Sequence, residues 1–63
     1  MSTYSCHATA LRQTDGALLV ELESGEEVWV PQSVIDEDSE VYEEGHEGDL
    51  VVSDWFARKQ GWT

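Results

Sequence analysis

One cysteine, one proline and three basic residues are all that this 63-residue chain holds of those types, and each shortage excludes something. With Cys6 alone there is no disulfide to staple the fold, and a lone thiol suits a reducing compartment better than a secreted scaffold. The opening stretch MSTYSCHATALRQ lacks the apolar run of a signal peptide. Nothing in the chain approaches the roughly 20 apolar residues of a membrane span. The expected location is therefore the cytoplasm. Arg12, Arg58 and Lys59 are too few to hold DNA, RNA or an anionic membrane, all of which demand basic surface.

What the chain does hold is acid. Fourteen Asp and Glu give a net charge of −11. Eight of them fall between Asp36 and Asp49, in DEDSEVYEEGHEGD, with no Lys or Arg among them. Chains this charged are often disordered, but 40% of these residues are hydrophobic and three are Trp, enough to seed a core. The length fits one small domain over residues 1–63, of a size that buries only about 60% of its unfolded surface.

The pattern predicts an α+β fold: a small antiparallel sheet of three to five strands and one short C-terminal helix. Thr3 to Leu11 alternates, with Tyr4, Cys6, Ala8 and Ala10 on one side. TDG at 14–16 is a turn in which Gly16 can take positive φ, and ALLVEL at 17–22 is a second strand. ESGE makes another turn around Gly25, and EVWVP at 27–31 is a third strand closed by Pro31. PQSVI reads as a helical turn or bend that tucks Ile35 inward. A short extended piece is expected at 40–43 and a strand at 49–53. Ser53 as N-cap, Asp54 in the first turn, Arg58 and Lys59 in the last and Gly61 beyond define a helix over 54–60. The expected core is Leu18, Val20, Val28, Val30, Ile35, Leu50, Val52 and Phe56, with Trp55 anchoring the helix.

Several chemistries fail on spacing. Cys6, His7, His46 and Glu47 offer zinc ligands, but neighbours on a strand point to opposite faces, so Cys6 and His7 do not readily share an ion. Counted as a calcium loop from Asp36, the acidic run puts Val41 where the loop needs glycine. No nucleophile elbow, phosphate loop or HExxH occurs, and a core this small leaves little room for a desolvated acid. No metal, cofactor or catalysis is expected. Trp29, Trp55, Trp62 and Tyr42 lack the basic groove that a base-stacking platform requires.

The acidic run remains. Its ordinary reading is a solvated face. A domain of this length is roughly 27 Å across, and duplex DNA carries about 16 charges over that distance. A net charge of −11 is of the same order, and the sequence clusters it. In an extended strand, same-face side chains repeat at about 6.7 Å, close to twice the axial rise per phosphate on one DNA strand. Asp36, Glu37, Asp38, Glu40, Glu43, Glu44, Glu47 and Asp49 are thus candidates to occupy phosphate sites on a basic, nucleic-acid-binding protein complex. Val41 and Tyr42 are expected to pin the run to the core, and Gly45 and Gly48 to let it turn. The alternative is an acidic module that recognises another protein through an exposed Trp29 or Trp62, without competing with DNA. In either case the chain is expected to act as a monomer.

EVWVPQSVI followed by GDLVVSDWFARKQG resembles small modules of phage and mobile-element proteins, in which a WxPxS segment precedes a strand and a WFAxKxG helix. That resemblance covers about residues 17–61. Small size and acidity are also similar to the anti-CRISPR proteins of phages and mobile elements, several of which imitate DNA. This resemblance implies an inhibitor of a type I CRISPR surveillance complex in the host cytoplasm. It implies contacts to Lys and Arg of the Cas subunits that hold target DNA, and no cofactor.

Overall fold

Period-two alternation in the first half of the chain becomes strand pairing. The computed structural model describes residues 2–62. Its strands are β1 (Thr3–Gln13), β2 (Ala17–Leu22), β3 (Glu27–Pro31) and β4 (Glu47–Ser53), and the helix α1 is Asp54–Gln60. One four-stranded antiparallel sheet results, in the order β3-β2-β1-β4. With α1 at the C-terminal end, the fold is α+β. No helix among the described residues is long and apolar enough to cross a membrane.

β1 runs past Leu11 because a register shift between Ala10 and Arg12 lets the pairing with β2 continue to Gln13. The turn to β2 does not use positive φ at Gly16, whereas Gly25, between β2 and β3, has φ 91. Between β3 and β4 the chain makes a short 3-10 turn, Gln32–Val34, and then the acidic connection.

One face of the sheet carries the core. Ala8, Ala10, Leu18, Val20, Val30, Leu50 and Val52 project into it, and Phe56 and Ala57 close it from α1. Val34 and Val41 complete it from the connection. Two expected core residues sit differently: Val28 and Ile35 are only partly buried against the cluster. Ile35 is extended and bridges Val52, which holds it at the sheet margin, and the preceding turn drives Val34 inward instead.

The helix begins at Ser53 without a side-chain cap bond, and Asp54 pairs with Arg58 at 2.8 Å one turn on. It is Phe56, not Trp55, that anchors α1, for Trp55 is 56% exposed. Gly61, at φ 79, reverses the chain, and the Trp62 N–H returns to the Ala57 carbonyl at 2.9 Å. The Trp62 ring then meets Phe56 at 5.7 Å and Tyr4 at 6.2 Å, centroid to centroid.

Candidate functional site

β4 is an edge strand, and its outward backbone groups would be left bare without a cover. The acidic connection is that cover. Asp36 N–H donates to the Val51 carbonyl at 2.8 Å, and Glu40 N–H donates to the Asp49 carbonyl at 2.9 Å. In return, Asp49 N–H donates to Glu40 Oε1 at 2.9 Å, and Val51 N–H donates to Ser39 Oγ at 3.1 Å. Further on, Ala10 N–H donates to the His46 carbonyl and Gly45 N–H to the Ala10 carbonyl, so the connection ends stitched to β1.

Ser39 is the buried polar hub of this cover. Its hydroxyl accepts from Val41 N–H at 3.2 Å as well as from Val51, and donates to the Val41 carbonyl at 2.8 Å. Two pins therefore hold the run, Val41 in the core and Ser39 on the edge. Tyr42 is not one of them. It is 54% exposed and packs edge-on against His46, with centroids 4.6 Å apart. No strand forms at 40–43, because side-chain oxygens replace part of the ladder there.

Seven of the eight carboxylate residues are exposed, and Asp36 is half-buried. Asp36 Oδ2 accepts from Asp38 N–H at 3.0 Å and closes a tight turn that presents Glu37 and Asp38 to solvent. Glu43 and Glu44 lie beyond Tyr42, where Glu44 N–H donates to Gln13 Oε1 at 3.3 Å. Glu43 Oε2 lies 3.9 Å from His46 Nε2, and Glu47 Oε2 lies 3.6 Å from His7 Nε2. No Lys or Arg pairs with any of the eight among the described residues. The run thus follows the β4 edge from Val51 to Asp49 and then turns to β1 at Ala10. Only Glu47 and Asp49 stand on a strand at two-residue spacing, so the ruler of an extended acidic strand holds for one pair and not for the run.

The register adds two acids outside the 36–49 run. Glu27 pairs with Glu21, Glu21 with Thr9, and Thr9 with Glu47. A row Glu27–Glu21–Thr9–Glu47 therefore crosses all four strands on the face away from the core. The signal was present in the alternation of ALLVEL and EVWVP, where Glu21 and Glu27 flank inward valines; the neighbour across the strand was not.

Cys6 is half-buried and His7 exposed, on opposite faces of β1. Burial, then the nearby Asp49 and Glu23 carboxylates, push the Cys6 thiol above its usual range. Among the described residues no three His, Cys, Asp or Glu side chains converge as a metal site. Beside the acidic turn, Gln32, Ile35, Asp36, Glu37 and Tyr42 line an open groove of about 360 Å³. Comparison with protein-family models, curated proteins and solved structures finds no match to this chain.

Proposed function

We propose that this protein is a non-enzymatic inhibitor, an acidic DNA mimic that occupies the DNA-binding surface of a basic protein complex, with a type I CRISPR effector as the leading candidate. The observation that carries this reading is the ordered acidic run from Asp36 to Asp49: six carboxylates on a connection bonded to the sheet and two on β4, with no Lys or Arg partner among the described residues. The molecule measures 26 Å along its longest axis, and its net charge is −11. Duplex DNA carries about 15 charges over that length, so the two are of one order. The groove beside Asp36 and Glu37 suits a long basic side chain, with Ile35 and Tyr42 against its stem.

Charge is the working element in this reading. Exposed ion pairs contribute about 0–1 kcal/mol each, so single Ala changes are mild and clustered reversals severe. A competition pull-down tests it, with a Glu43→Lys, Glu44→Lys, Glu47→Lys variant alongside the native chain. The native protein is displaced by duplex DNA and by salt, and the variant fails to bind. Full binding by the variant in excess DNA overturns the reading.

The exposure of Trp29, at 48%, favours a second reading in which the chain is an acidic protein-interaction module. Trp62 is half-buried against Tyr4 and Phe56, so Trp29 is the aromatic on which this alternative rests. Here Trp29→Ala abolishes binding, and neither DNA nor charge reversal in 36–49 matters.

A further inference from the structure

Among the described residues, none bonds to the outer side of β3, the edge opposite β4. Backbone bonds from Leu22 N–H to the Glu26 carbonyl and from Gln32 N–H to the Gly16 carbonyl fix the phase of the β2–β3 ladder. In an antiparallel pair the bonded positions alternate, so Val28 and Val30 spend their backbone groups on β2. Glu27, Trp29 and Pro31 then turn theirs to solvent: the N–H and carbonyl of Glu27 and Trp29, and the carbonyl of Pro31. The side chains of Glu27 and Trp29 stand on the open face, two residues apart and both exposed.

The charge there is unbalanced. Glu27 faces Glu21 at a non-hydrogen-bonded position, where Cα atoms come within about 4.5 Å and like charges destabilise. No Lys or Arg pairs with either among the described residues. Next to them Trp29 faces Leu19 across the strands.

We infer that the free edge of β3 is a docking site for an extended segment of a protein partner, with Lys or Arg and an apolar residue two positions apart. Such a strand lies about 4.8 Å from β3 and takes up the free groups of Glu27 and Trp29. Its cation meets Glu27 and Glu21, and its apolar residue covers Trp29. A second copy of the chain fits this slot poorly. It brings another net −11, and antiparallel pairing centred on Trp29 sets Glu27 against a Pro31 that lacks an N–H. The inference rests on the proposed function for the positive charge of the partner, while the surface itself is a different one.

The probe is a short capped peptide, Thr-rich and β-forming, with Arg and Val two positions apart; its control has Glu in place of Arg. Residue-resolved amide exchange is followed on the full chain. At a peptide concentration about ten times Kd, mass action slows exchange at Glu27 and Trp29 about tenfold, and the control does nothing. Trp29→Pro removes the outward N–H without touching the ladder to β2 and abolishes the effect; Trp29→Phe retains it. A Glu43→Lys, Glu44→Lys variant keeps the protection within roughly twofold, because distant charges are screened, so failure here and failure of the mimicry reading separate. Absence of binding, protection confined to residues 36–46, or protection of β3 by dimerisation without peptide would each overturn the inference.

Discussion

The two edges of the sheet are treated in opposite ways. Along β4, the most acidic stretch of the chain is bonded to the strand, and the outward groups of Asp49 and Val51 all find partners in Asp36, Ser39 and Glu40. Along β3 the strand is short, ends in Pro31 and carries Glu27 and Trp29 beside free backbone groups. Brevity, proline and charge discourage indiscriminate pairing of an edge, yet they leave it physically open. The difference teaches that a dense run of carboxylates can be a structural element. Side-chain oxygens of Ser39 and Glu40 act as acceptors for a strand, Asp36 closes a turn, and Glu37, Asp38, Glu43, Glu44, Glu47 and Asp49 are exposed as an ordered acidic surface.

If the covered edge is structural, damage there is expensive and damage at the open edge is not. Leu50→Ala, from the fully buried inner row of β4, should destabilise by about 2–5 kcal/mol, read as a shift in urea midpoint. Ser39→Ala strands the N–H groups of Val41 and Val51 and should cost about 1–3 kcal/mol; an unchanged midpoint would mean the hub is ornamental. Gly48→Ala should fall in the same range, about 1–3 kcal/mol. Gly48 sits at φ 148, and an added Cβ would lie 2.6 Å from Glu40 Oε1, displacing the carboxylate that accepts from Asp49. Self-repulsion of a −11 chain should make the melting temperature rise with salt up to about 0.1 M, where the Debye length is about 10 Å; a steady fall would indicate a fold held by ion pairs. Smallest of all, Trp29→Ala on the open edge should change stability by only about 0.5 kcal/mol, and a change as large as that of Ser39→Ala would erase the contrast between the edges.

Much of this was legible in the residues. Local patterns carry β2, β3 and α1, whose bounds Ala17–Leu22, Glu27–Pro31 and Asp54–Gln60 follow from alternation, turn residues and capping signals. Where partners distant in sequence decide, local pattern is silent. The bonds from Ser39 and Glu40 to β4 span 12 and 9 residues, and no pattern in DEDSEVYEEGHEGD announces them. By composition Ser39 is one more polar residue, and the pinning expected of Tyr42 falls to it. Phe56 is buried as its place in the expected core requires, whereas Trp55, expected to anchor the helix, is exposed, because two adjacent aromatics on a short helix cannot both face the sheet. The eight acidic positions were visible as a cluster; their companions Glu21 and Glu27 required the register.

Amide exchange of the free protein tests the contrast most directly. The amides of Asp36, Glu40, Asp49 and Val51, all hydrogen-bonded across the β4 edge, should exchange slowly, while those of Glu27 and Trp29 should exchange at nearly the unfolded rate. Rapid exchange through residues 36–49 with protection at Glu27 and Trp29 would contradict it, since the acidic run would then be a loose loop and the covered edge would be β3.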